Sequence, residues 1–396
     1  MPSRERRDAR QQAPGRPGPR APLLLVRPLA LCAALWPLAS CATLPSEGGD
    51  EGGLPNAGAG PFREIAQAEL GSSRVAPHVM NDDERLARDA SVVDLDGDPS
   101  TLAAAGFFAA TLRAEGAPDD APPEPLAPPD SIVRHDAENG RAFARRSTTV
   151  FASELAWEGG AVAAPSALLV DGEIWLYYAA AGGIGLARSA DGIAFAREPA
   201  PVLAPLPPGE GWERGAVPAS PGVVRLPDGS FRMFYEVAGD AGASSIGEAR
   251  SADGLAWERV GSGPALAPAS LPDDGAPEAD DAPFDGAAVL DPAPLLAVSA
   301  TGRPILRVYY AGRDRAGRSA IGMAARSGHD GPLQRAAAPV YGASSALAPR
   351  APWVTAHPGF SLLFVTQAAG TRDGQRYPVV AAGVAPADAA LPPPAP

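Results

Sequence analysis

Residues 187–205 read "ARSADGIAFAREPAPVLAP", and residues 249–268 read "ARSADGLAWERVGSGPALAP". The two phrases sit 62 residues apart, which makes the chain repetitive on the scale of one small sheet. In Ser-x-Asp-Gly, aspartate and glycine tolerate positive φ, and the serine hydroxyl can bond back to the loop backbone. Apolar strands precede it ("IGLARS", "IGEARS", "IGMAARS"), and an aromatic or apolar strand follows. The phrase therefore reads as the turn of a hairpin between the third and fourth strands of a repeated unit.

Upstream of each hairpin lies another. "SALLVDGEIWLYY", "GVVRLPDGSFRMFYE" and "PLLAVSATGRPILRVYY" each alternate apolar β-formers around a Gly-containing turn. Paired bulky residues mark the second strand: Phe107-Phe108, Tyr177-Tyr178, Phe234-Tyr235, Tyr309-Tyr310 and Leu363-Phe364. "SVVDLDGD", "LAAAGFFAATL" and "SIVRHDAENGRAFARRSTTVFAS" align as a degenerate first unit. The last unit runs out after "YPVVAAGVA", so a ring needs an edge strand from elsewhere, and residues 72–80, "SSRVAPHVM", are the expected donor. The predicted fold is an all-β, five-bladed β-propeller of four-stranded antiparallel blades over residues 72–385. Two stacked sandwiches are the alternative.

Composition agrees. The chain has 396 residues, 45% hydrophobic and 20% charged, enough to build a core, while 44 glycines and 46 prolines favour turns over long helices. Residues 114–130 and 269–283 are Pro- and acid-rich and read as surface insertions; the second lacks calcium-loop spacing. Residues 386–396 read as a frayed tail.

At the N-terminus, arginines precede the apolar run "PLALCAALWPLASCATLP", which is too short and proline-broken to span a bilayer comfortably. Its end, Leu38-Ala39-Ser40-Cys41, resembles the lipobox of bacterial lipoproteins. That resemblance implies a signal peptide over residues 1–40, lipidation of Cys41 and a tether over 41–71. It places the protein at the cell envelope, on the outer membrane, held by the lipid anchor alone. The alternatives are an ordinary secretory signal and a short membrane anchor. Removing residues 1–40, with seven Arg and two acids, leaves 26 basic and 44 acidic residues, net −18. Such a surface argues against nucleic acid. With Cys41 lipidated, no disulfide and no cysteine metal site remain, and His78, His135, His329 and His357 lack ligand spacing. No cofactor or metal is expected.

The Ser-x-Asp-Gly-x-x-Trp hairpins, "GAVPASPGVVRLPDGSFRMFYE" and "YYAGRDRAGRSAIGMAARS", resemble the five-bladed propeller glycosidases. These are the arabinan- and xylan-active family 43, fructan-active family 32 and the mannoside phosphorylases. The resemblance implies a carbohydrate partner and carboxylates near the starts of the innermost strands. By matching "RDASVV", Asp89 is the candidate base; "APS" puts Ser166, and "ASP" puts Ala219, where family 43 carries two further acids. Asp291, opening the fourth inner strand, and Glu213 are the candidate second carboxylates. Glu213 recurs as Glu158 and Asp285 in "WEGGAV", "WERGAV" and "FDGAAV", which also fits a shared structural turn. Glu236 and Glu248 are acids unique to the third unit, expected to oppose each other across two strands at a substrate site, or else to splay into solvent. Trp157, Trp212 and His357 are candidate sugar contacts; packing between blades is the other reading. Hydrolysis and non-catalytic binding of a glycan or protein partner therefore both stand.

Overall fold

The structure is a computed structural model. It describes residues 59–64, 85–96, 103–112, 128–137, 143, 147–239, 242–269, 283–298, 303–342, 348–357, 360–372 and 375–386. Cys41, the segment 1–40 and residues 72–80 lie outside them. No helix among the described residues is long and apolar enough to cross a membrane.

The described residues form five four-stranded antiparallel sheets. A first strand, β1 (Arg63–Glu64), is followed by sheet one: β2 (Arg85–Asp94), β3 (Ala104–Leu112), β4 (Ser131–Ala137) and β5 (Thr148–Ala152). Sheet two holds β6 (Ala163–Val170), β7 (Glu173–Ala180), β8 (Gly183–Ser189) and β9 (Ala196–Arg197). Sheet three holds β10 (Pro218–Arg225), β11 (Phe231–Ala238), β12 (Ser244–Ser251) and β13 (Glu258–Arg259). Sheet four holds β14 (Ala288–Val298), β15 (Pro304–Arg313), β16 (Ser319–Ser327) and β17 (Gln334–Arg335). Sheet five holds β18 (Arg350–His357), β19 (Phe360–Arg372) and β20 (Gln375–Pro386), completed by β1. The first strands β2, β6, β10, β14 and β18 touch in that order, and β18 returns to β2. The sheets are blades of a propeller.

The paired bulky residues explain how the blades cohere. All ten side chains are fully buried, and each pair splits between the two cores flanking its blade. Tyr178 packs with Phe107 of blade one, while Tyr177 packs with Tyr235 of blade three. Tyr310 packs with Phe234, Tyr309 with Leu363, and Phe364 with Phe108, which closes the circle. Successive strand residues face opposite sides of a sheet, so a doublet serves both neighbours at once.

The repeated turn is a fastener. Ser251 Oγ accepts the Gly254 N–H at 2.8 Å and donates to Asp253, whose Oδ1 accepts the N–H groups of Leu255 and Ala256 at 2.9 Å each. Ser189 and Asp191 repeat the pattern. Each turn then receives a donor from the preceding blade: Arg134 Nη1 to Asp191 O at 2.6 Å, and Tyr177 Oη to Gly254 O at 2.8 Å. Gly254 has φ 75°, and a Cβ there would stand 2.6 Å from the Trp175 ring and 2.7 Å from Tyr177 Oη. Gly254→Ala is expected to lose about 1–3 kcal/mol in thermal or urea unfolding. Gly172→Ala also sits at positive φ but meets open space, so it isolates backbone strain from the clash.

The closing strand differs from expectation. It is Arg63–Glu64, pairing with Val384 and Gly383, and not residues 72–80. Phe62 anchors it: its N–H donates to Val340 O at 2.7 Å, and its ring meets Tyr309 edge-on at 6.0 Å. Residues 59–64 therefore belong to the propeller body, inside the stretch read as tether.

Candidate functional site

Each innermost strand carries a register shift near its start. At each shift one non-glycine residue is left-handed: Asp89 (φ 55°), Ala164 (45°), Ser220 (44°), Asp291 (50°) and Ala351 (47°). The next residue is alanine in blade one and proline in the other four. Proline has no N–H to lose where the ladder is broken, and a bulge re-aims its side chain. These five bulges ring the propeller axis around a narrow pit of about 30 Å³, which Trp353 also lines. Of the five re-aimed side chains, two are acids, Asp89 and Asp291. Ser220 is the third polar one.

A third carboxyl comes from the second strand of blade three. Glu236 pairs in register with Ala219, the residue before the Ser220 bulge. Its Oε2 accepts the Asp291 N–H at 3.4 Å, and its Oε1 accepts from Ser244 Oγ at 3.1 Å. Asp291 is more tightly held: Arg350 Nε and Nη2 donate at 3.0 and 3.3 Å, Ser220 Oγ at 3.1 Å, and the Ala351 N–H at 3.1 Å. Asp89 is joined to blade five, where Thr366 Oγ1 accepts its N–H at 2.8 Å and donates to Oδ1 at 3.3 Å. Arg88 lies 4.0 Å from its carboxylate.

These surroundings divide the three acids. Burial, reinforced by the Asp291 charge, pushes Glu236 up to about 7. Burial also acts on Asp291, but the Arg350 charge and hydrogen bonds outweigh it and hold Asp291 below the usual carboxylate range. Burial raises Asp89 against the opposing pull of Arg88. One carboxyl favours its proton beside one that is held ionised, the pattern of an acid and a base sharing a site. Among the described residues, no group of three or more His, Cys, Asp or Glu is arranged to hold a metal ion.

The remaining candidates lie elsewhere. Glu213 is buried in a clasp, accepting from Tyr235 Oη at 2.6 Å and Arg259 Nε at 2.8 Å. Glu158 binds Tyr178 and Arg197, and Asp285 binds Tyr310 and Arg335, in the same way. The recurring acid is a structural fastener. Glu248 does not oppose Glu236: the register pairs Glu236 with Ile246 and Phe234 with Glu248. Its carboxylate instead meets Arg326 at 2.6 Å and Arg232 at 3.5 Å, between blades three and four. Trp157 stacks on Tyr178 at 5.9 Å, and Trp212 packs against the core between blades two and three. His357 stacks on Phe360 and meets Thr355 Oγ1 at 3.0 Å. It lines a separate, largely apolar chamber of about 390 Å³, four residues along β18 from Trp353. Ser166, where the resemblance placed an acid, hooks blades together by accepting the Val223 N–H at 3.0 Å. Arg350, Ser220 and Thr366 are members of the site that the sequence reading did not single out. The available cue was the bulge itself, since "RDAS" and "RAPW" put arginine before the left-handed residue in blades one and five.

No family model matches the sequence, and no curated protein matches it. Solved structures do match. A thermostable family-43 glycoside hydrolase is 16% identical, over 79% of this chain and 94% of that chain, with a TM-score of 0.54. A glycosyl hydrolase from Bacteroides ovatus is 14% identical, over 85% and 97%, with a TM-score of 0.55. A third match, also 14% identical, covers 85% and 98% with a TM-score of 0.56. It comes from the family-130 mannoside phosphorylases, described as containing glycoside hydrolases that target β-1,2 mannosidic linkages in Candida mannan. The chain shares the fold of propeller glycoside hydrolases. At these identities the likeness concerns fold, and the argument for chemistry falls on Asp89, Glu236 and Asp291.

Proposed function

We propose that this protein is a lipid-anchored propeller of the bacterial envelope that cleaves a glycosidic bond at its axial mouth. The observation carrying the reading is that Asp89 and Asp291 line one pit, with Glu236 bonded to Asp291 beside it and their proton affinities set apart. Glu236 gives its proton to the departing sugar oxygen, and Asp89 is the base or nucleophile on the other side of the bond. Asp291 stays ionised beside them. Glu236 stands opposite Ala219, so the acid comes from the neighbouring strand at the position where the resembling family carries it on the first. The fold of the solved matches supports a carbohydrate as the partner, and the Leu38–Cys41 motif supports the anchor.

Glycan binding without turnover is the second reading. It is favoured by Ser166 and Ala219 standing where two family acids are expected, and by a pit with room for about one water molecule. A panel of aryl-glycosides decides between the two, with Asp89→Asn as control. Turnover on at least one sugar, lost in the variant, supports hydrolysis. Glycan-array binding without turnover on any sugar supports the second reading, and turnover untouched by the substitution removes Asp89 from the chemistry.

A further inference from the structure

We infer that Arg350 is a positioning residue: its two-pronged grip on Asp291 decides which of the axial carboxyl groups carries the proton. The inference rests on the reading of Glu236 as the acid. Its geometric basis is an unequal share of donors. Asp291 receives two guanidinium N–H groups, the Ser220 hydroxyl and the Ala351 N–H. Glu236 receives the Ser244 hydroxyl and one long contact from the Asp291 N–H. Four donors, two of them from one cation, suit a carboxylate; two neutral donors suit a group that keeps its proton.

The charged and polar neighbours bearing on Glu236 come from three packed strands: Asp291 on β14, Arg350 on β18 and Ser244 on β12. Asp89, on β2, bears on both Asp291 and Arg350, with Arg88 beside it. Arg350 itself draws Glu236 downward, yet it also keeps Asp291 negative, and that charge pushes Glu236 up. Without the guanidinium, a buried Asp291 loses the cation bonded to it and becomes the better proton acceptor. The charge facing Glu236 then disappears, and the proton moves from Glu236 to Asp291. Arg88 precedes the bulge of blade one as Arg350 precedes that of blade five, but it stands 4.0 Å from its aspartate and makes no such grip.

Side-chain carboxyl ¹³C titration tests this without any substrate, using Glu236→Gln and Asp291→Asn to assign the signals. In the wild type, Glu236 is expected to titrate near pH 7 and Asp291 below the normal carboxylate range. In Arg350→Met, the Glu236 midpoint should fall by one pH unit or more while that of Asp291 rises past it. Arg350→Lys, which keeps the charge, should restore the wild-type order. An unchanged or raised Glu236 midpoint in Arg350→Met overturns the inference. If that variant does not fold, Asp291→Asn carries the test: Glu236 must again fall, and an unmoved midpoint is equally fatal. Failure to find a hydrolysed sugar would leave the titration result standing, so the two readings fail separately.

Discussion

Replacing Glu248 by alanine is expected to remove about 3–5 kcal/mol of stability, because it leaves buried arginine charge without its carboxylate. Glu248 is 5% exposed and accepts from both Nη atoms of Arg326, itself equally buried, at 2.6 and 2.9 Å. Arg232 Nε stands 3.5 Å away and reaches Asp330 with its other end. The Arg326 guanidinium also lies 5.7 Å over the Phe234 ring, so the ion pair is enclosed by the core between blades three and four. Blades two and four fill the same position with apolar side chains. Leu186 and Met323 pair with Tyr177 and Tyr309 as Glu248 pairs with Phe234. Glu248→Leu combined with Arg326→Met should therefore recover much of the loss. Urea unfolding of the two variants measures both quantities. A Glu248→Ala protein within 1 kcal/mol of wild type would mean that the pair is solvated.

Much of this architecture is legible in the sequence because propellers repeat their instructions. The bulky doublets and the Ser-x-Asp-Gly turns appear several times, and a signal written several times survives degeneration in one blade. Closure is written once. Arg63–Glu64 is too short for strand alternation, and Phe62 is the lone aromatic in a Gly- and Pro-rich stretch with the composition of a tether. Residues 72–80 look more like a strand, but Phe62 has the cleft beside Tyr309 to fill.

The site is legible only where it coincides with the repeat. Asp291 follows from its place at the start of an inner strand, and Asp89 from the family resemblance of "RDASVV" at the matching place. Glu236 and Glu248 stand out because the other blades lack them, but their geometry depends on hairpin register, which the sequence around residues 239–243 does not fix. A small change in register replaces an opposing glutamate with Ile246 and sends the two carboxyls to different neighbours. Repetition also misleads in the case of Glu213. Its companions Tyr235 and Arg259 recur in step with it, and a residue repeated together with its partners is more simply a fastener than a catalyst. Arg350 carries only the cue of preceding a left-handed residue, since its role comes from meeting Asp291, 59 residues earlier, on the neighbouring blade.

Glu236→Gln separates the chemical claim from the structural one. Burial and the Asp291 charge hold Glu236 near 7, well above the roughly 4.3 expected in an unfolded chain. Between those values the native state binds a proton that the unfolded state has released. Its stabilising contribution is complete below about pH 4 and is lost as pH rises through 7, up to about 4 kcal/mol in all. Glutamine is a neutral isostere of the protonated acid, so the variant should show a flatter stability profile over that window. Asp291, lowered rather than raised, acts in the opposite direction and below about pH 4, where it does not overlap. Asp89, raised like Glu236, leaves the residual slope that Asp89→Asn should remove. On a glycoside with a poor leaving group, turnover should drop by about 10²–10⁴ because glutamine has no proton to give. A dinitrophenyl glycoside, whose leaving group departs without protonation, should retain most of its rate. Wild-type turnover of the poorer substrate should fall as pH rises through 7, and that limb should vanish in the variant. Equal losses on both substrates would assign Glu236 to binding; an unflattened stability profile would show that it is ionised throughout.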